Sequence, residues 1–223
     1  MSTPEATHRL YRVSVLATAL IRMWRGWLIW IPLVVVNALA QGLLVLPGVL
    51  PYLTVTFLVL ALISLTVLAL AFAIVAATML QASSGPVSVH QVLATTRRRW
   101  LPLLVWSLAL VLVVTLGLAL YVLPGLLVLA ITPYLLLAVV DGQRRPLAVN
   151  FQVIRARWGR WLITVIAVAV VALVVWLLSV VTGFFIAGFG GAVIGWLGLG
   201  LVSSWLICAW ALVYRTVVPR SAR

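Results

Sequence analysis

Long runs without a charged residue alternate along this chain with short segments in which arginine and tryptophan gather. The apolar runs cover about 26–46, 52–80, 101–122, 125–140, 161–182 and 192–214. Most are near the ~20 residues that a helix needs to cross ~30 Å of hydrocarbon. Pro47-Gly48-Val49-Leu50-Pro51 forces a turn after the first run, and Gln81-Ala82-Ser83-Ser84-Gly85-Pro86 ends the second. From Leu101 to Val140 no residue is charged, too long a stretch for one span, and Leu123-Pro124-Gly125 predicts a reversal at its middle. Pro133 should kink the fourth run or leave a backbone group for a neighbour to satisfy. The glycine-rich run Gly183 to Gly200 is open to three readings: loop, re-entrant segment or helix.

A shorter segment precedes each pair of runs, at about 10–23, 87–99 and 146–158. In the second, Ser88 can cap a helix whose Val89, Val92, Leu93 and Thr96 share one face. In the third, Leu147, Phe151, Ile154 and Trp158 share a face, with Arg155 and Arg157 off it. Each segment ends in a related cluster: Arg22-Met23-Trp24-Arg25-Gly26-Trp27, Arg97-Arg98-Arg99-Trp100, and Arg155-Ala156-Arg157-Trp158-Gly159-Arg160-Trp161. Arginine enters hydrocarbon only at high cost, and tryptophan prefers the headgroup layer, so each cluster marks a membrane surface. The expected fold is all-α: a polytopic membrane bundle of six transmembrane helices in three hairpins, each preceded by an amphipathic interfacial helix. Residues 1–223 then form one integral membrane domain, with a rough threefold internal repeat.

Composition agrees. Apolar residues make up 66% and charged residues 8%, with a mean hydropathy of +1.31, leaving too little polar surface to coat a water-soluble globule. All 15 basic residues are arginine, against Glu5 and Asp141, for a formal charge of +13. With the N-terminus cytoplasmic, the inside segments 1–25, 81–100, 141–160 and 215–223 hold every arginine, and the outside turns hold none. The positive-inside rule then places both termini in the cytoplasm. Basic composition without lysine hints at a GC-rich bacterial genome, hence a bacterial plasma membrane. Arginines beside apolar spans favour anionic phospholipid over nucleic acid as the partner. Cys208 is alone, so no intramolecular disulfide or cysteine metal cluster is expected. Met1 to Leu10 is polar and does not read as a cleavable signal peptide.

Chemistry is sparse. Glu5, Asp141, His8 and His90 are the carboxylates and imidazoles, no two of them close in sequence except Glu5 and His8 in the polar N-terminal segment. Metal-assisted or acid–base hydrolysis needs several such groups together. No catalytic, cofactor or metal site is expected, and an enzyme is not. Asp141 is expected to form an ion pair at the membrane surface with Arg144, Arg145 or Arg157. Asn37 and Gln41, one turn apart in the first span, would form interhelical hydrogen bonds or face a substrate. Ala187, Gly191 and Gly195, with Ala38 and Gly42, form small-residue ridges for packing inside the bundle or against a partner. Arg97, Arg98, Arg99, Arg155, Arg157 and Arg160 are candidates for an anionic headgroup site, beside their simpler role in setting topology.

One stretch carries a family likeness. Val140-Asp141-Gly142, Pro146-Leu147-Ala148 and Asn150-Phe151-Gln152-Val153-Ile154-Arg155-Ala156-Arg157-Trp158-Gly159-Arg160 follow Leu123-Pro124-Gly125. Together they resemble the bacterial six-helix membrane-domain family named after glycerophosphoryl diester phosphodiesterases. Pro124-Gly125, Asp141-Gly142 and Arg157-Trp158 match its pattern, while Asn150 stands where serine is commoner and Ala156 where glycine is. The resemblance implies a non-catalytic membrane bundle, attached in some members to a hydrolase domain that is not expected in these residues. The function expected is that of an accessory or scaffold subunit of a membrane complex, or an anionic-lipid-binding protein, partnered by another membrane protein or a second copy. The alternative is a membrane component of a transporter or immunity-type permease for an amphipathic substrate.

Overall fold

The computed structural model describes residues 15–43, 55–120, 122–185 and 188–218. Among these it is helical almost throughout, with no strand. The helices are α1 (Val15–Leu43), α2 (Val55–Ala82), α3 (Val89–Arg98), α4 (Trp100–Leu120), α5 (Val122–Ile131), α6 (Leu135–Asp141), α7 (Pro146–Ala156), α8 (Trp158–Phe185) and α9 (Phe189–Val217). Five stretches are long and apolar enough to cross a membrane: Val15–Leu43, Val59–Ala82, Trp100–Gly117, Leu123–Asp141 and Phe189–Val217. In α8 the apolar stretch among the described residues, Trp158–Val171, is shorter. Uncharged chain in hydrocarbon has no water to bond its N–H and C=O groups, so it satisfies them internally as helix even where valine is frequent.

The boundaries depart from the expected ones in instructive places. The segment expected to lie on the surface at 10–23 is described from Val15 and runs into the first span without a break, through one tightened turn at Trp24–Gly26. Leu123-Pro124-Gly125, expected as a turn, instead lies in the opening of α5, which begins at Val122. A proline is tolerated there because first-turn N–H groups have no partner inside the helix. The fourth span is two helices, α5 and α6, separated at Thr132-Pro133-Tyr134. The glycine-rich run is helical up to Phe185 and again from Phe189, which removes the long external loop as a reading. Ala187 and the turn at 47–51 lie outside the described residues.

Packing is densest at one end of the bundle. Ala73, Ala76, Ala77 and Met79 of α2, Leu136 to Val140 of α6, Cys208, Ala209, Ala211 and Tyr214 of α9, and Ala19, Met23 and Trp30 of α1 form one buried cluster. Alanine at so many contacts lets backbones approach, which matters because lipid is as apolar as leucine and gives little reason for large side chains to turn inward. α2 lies at the centre, against α1, α4, α6 and α9, and α9 packs most extensively on α1. At that contact a side chain on Gly42 would run into Val193 and Phe189, and one on Gly200 into Val34.

Both short helices turn an unexpected face inward. On α3 only Val92 of the expected stripe is buried, while Val89 and Leu93 are exposed. On α7 the stripe Leu147, Phe151 and Trp158 is exposed, and Asn150 with Val153 faces the protein at 0% exposure. The stripe rule assumes water on the far side; beside a bilayer an apolar stripe is equally at home facing lipid.

Candidate functional site at the arginine-bearing end

The break in the fourth span is closed by side chains from α7 and α8. Pro133 has no N–H and its ring crowds the preceding turn, so the helix breaks there, leaving carbonyls before the break and donors after it without helical partners. Asn150 serves both sides: its Nδ2 donates to the Ile131 carbonyl at 2.7 Å, and its Oδ1 accepts from the Tyr134 N–H at 3.0 Å. Trp161 Nε1 donates to the Ala130 carbonyl at 2.6 Å. α6 then ends in a left-handed turn at Gly142, whose N–H donates to the Val139 carbonyl at 3.0 Å.

Beside that turn, Asp141 pairs with Arg215 of α9 at 3.0 Å, replacing the expected partners Arg144, Arg145 and Arg157, all of which are exposed. Arg215 directly follows the last apolar run, far from Asp141 in sequence. Asp141 Oδ2 also accepts from Tyr214 Oη and Gln143 Nε2, each at 3.1 Å. A carboxylate bound this way is a fastener between α6 and α9, with its charge answered by Arg215 and two hydrogen bonds accepted at Oδ2. Arg99 lies over Gly142, occupying the space that a β-carbon would need. Gly142 thus faces two demands, its φ of 83° and the guanidinium. Gly142→Ala should cost about 1–2 kcal/mol from the left-handed backbone alone, and more as Arg99 is displaced. Unfolding of the variant in mixed micelles checks this.

These contacts gather the arginine-bearing segments at one end. Arg22 of α1 donates to the Ser83 carbonyl, placing a cation at the C-terminus of α2 where the helix dipole favours it. Arg160 lines a small crevice with Val15, Leu16 and Val213. Of the six candidate headgroup arginines, Arg99 and Arg160 are half-buried, each in its own contact, while Arg97, Arg98, Arg155 and Arg157 are exposed. The six therefore do not close into a single pocket. The four exposed ones sit on or just past α3 and α7, beside Trp100 and Trp158, which are 59% and 66% exposed, and Trp24 and Trp27 are also half-exposed. Ser88 stands at the start of α3 without a capping side-chain bond.

The other polar feature lies inside. Gln41 Nε2 donates to the Ser64 carbonyl at 3.2 Å and, more weakly, to Asn37 Oδ1 at 3.4 Å, and Ser64 Oγ donates to Gln41 Oε1 at 2.6 Å. This ties α1 to α2 through buried groups. Asn37 also lines a cavity of about 40 Å³ with Phe72, Trp196, Ser203 and Ser204. Of the predicted ridge, Gly191 is buried, but Gly195 is exposed with nothing within 4 Å of where its side chain would be.

Sequence reasoning missed Asn150, Trp161, Tyr214 and Arg215 as structural partners. A usable signal existed for the first: an amide among apolar residues of a surface helix, in a chain with a proline-broken span. Compared with known proteins, the chain matches no family model and, at a significant level, no curated protein or solved structure. The likeness to the six-helix membrane-domain family therefore rests on its own motif residues.

Proposed function

We propose that this chain is a non-enzymatic, six-span protein of a bacterial plasma membrane, with both termini cytoplasmic. It binds anionic phospholipid at its arginine-bearing end and serves as an accessory or scaffold subunit for another membrane protein or a second copy. One observation carries the reading: exposed Arg97, Arg98, Arg155 and Arg157 adjoin exposed Val89, Leu93, Leu147, Phe151, Trp100 and Trp158 on and just past two short surface helices, α3 and α7. Apolar side chains that dip below the headgroups, with cations at headgroup level, are what an interfacial helix needs to hold anionic lipid. The cavity beside Asn37 supports this reading over a permease. At about 40 Å³ it has room for a few waters, at ~10–15 Å³ each, and none for an amphipathic substrate.

The test is Arg155→Gln with Arg157→Gln, followed by mass spectrometry of lipid that co-purifies in mild detergent. At about 1 kcal/mol per arginine, the pair should weaken anionic-lipid retention about thirtyfold. Unchanged lipid content counts against the reading.

A further inference from the structure

The helix that faces lipid is also the piece that closes the broken span. On its outer side α7 carries Phe151 and Arg155, both exposed, and on its inner side Asn150 and Val153, both at 0% exposure. Both polar atoms of Asn150 are committed to backbone on opposite sides of the break, Ile131 before it and Tyr134 after it. We propose that engagement of anionic lipid by α7 is transmitted through Asn150 to Thr132-Pro133-Tyr134, so that the surface helix and the two half-helices gain and lose order together. This rests on the lipid-binding reading above and adds what that binding controls.

Three features make the coupling a mechanical consequence. First, the groups that would take over in a continuous helix are engaged elsewhere, Leu135 N–H with the Thr132 carbonyl and the Ala130 carbonyl with Trp161, so once Asn150 withdraws, the Ile131 carbonyl and Tyr134 N–H have no helical bond to fall back on. A displacement of α7 that lengthens both 2.7 Å and 3.0 Å contacts past ~3.5 Å ends them. Second, α7 passes directly into α8 through the turn at Arg157, whose N–H donates to the Val153 carbonyl at 3.0 Å. Trp161, just beyond, holds the Ala130 carbonyl, so α7 and the start of α8 grip α5 as one unit. Third, α6 is buried along its length from Leu135 to Val140 and ends at Asp141, fastened to Arg215 and Tyr214. Order at the break is thereby passed on to the end of α9. By linkage, lipid that steadies α7 must steady the break, and anything that steadies the break must tighten lipid binding.

The experiment is hydrogen–deuterium exchange on the wild-type protein in nanodiscs of phosphatidylcholine alone and of phosphatidylcholine mixed with phosphatidylglycerol. The readouts are the Tyr134 and Leu135 amides, with Ala76 in the buried part of α2 as the reference. Lipid recovered from a mixed membrane is measured in parallel. The proposal expects Tyr134 to exchange about fivefold or more slowly with phosphatidylglycerol present, the lower end of ordinary coupling, with Ala76 unchanged. In Asn150→Ala the lipid dependence should vanish while phosphatidylglycerol is still retained. Phosphatidylglycerol enrichment with equal Tyr134 exchange in the two nanodiscs overturns the coupling alone. No enrichment overturns the lipid-binding reading and the coupling with it.

Discussion

Asn150→Leu should destabilise the bundle by about 2–4 kcal/mol, although leucine is the more apolar residue and the position is fully buried. The substitution leaves the Ile131 carbonyl and the Tyr134 N–H without partners where water cannot replace them. Each such group costs about 1–3 kcal/mol when orphaned, and helix-to-helix bonds in membranes sit toward the lower end of that range. A conventional hydropathy argument predicts the opposite sign, which makes the measurement decisive. Equilibrium unfolding in mixed micelles gives the cost. Asn150→Ser, the residue commoner at this position in the resembled family, should recover one of the two bonds and fall between.

Gly117→Val should cost about 3 kcal/mol or more by forcing α4 and α5 apart. A β-carbon at Gly117 would lie 2.7 Å from the Gly125 nitrogen and 2.8 Å from its Cα. Those are backbone atoms, and unlike the end of a flexible side chain they cannot move aside without shifting the helix. Gly198→Ala is the control, since nothing lies within 4 Å of its side-chain position. It should stay within about 0.5 kcal/mol of the parent. If both variants unfold together with the parent, the close approach of the two helices is wrong.

Apolar run length and arginine placement made the helical, membrane-type character legible, because both respond to bilayer thickness and to the cost of burying charge. Pro133 foretold a break, since its missing N–H is a property of the residue alone. What stayed hidden was which distant group answers each local need. Nothing near Asp141 in sequence pointed to Arg215, more than seventy residues on. The faces of α3 and α7 were misjudged because periodicity finds the apolar stripe without saying whether protein or lipid lies beyond it. On α7 the decisive residue was polar: Asn150 turns inward because the broken span behind it needs an amide. Glycine spacing pointed to Gly42, which makes a close contact inside the bundle, but not to Gly200, which makes another, and Gly195 faces open space.

Lipid binding and the coupling through Asn150 both require every arginine cluster to face the same side of the bilayer. Cysteine labelling tests that most directly. Cys208 is buried, so on a Cys208→Ala background single cysteines are placed at Arg98 and, for the opposite end, at Gly190. With a membrane-impermeant maleimide on intact cells, the account predicts labelling of Gly190→Cys and none of Arg98→Cys until the membrane is opened. Labelling of Arg98→Cys in intact cells contradicts it.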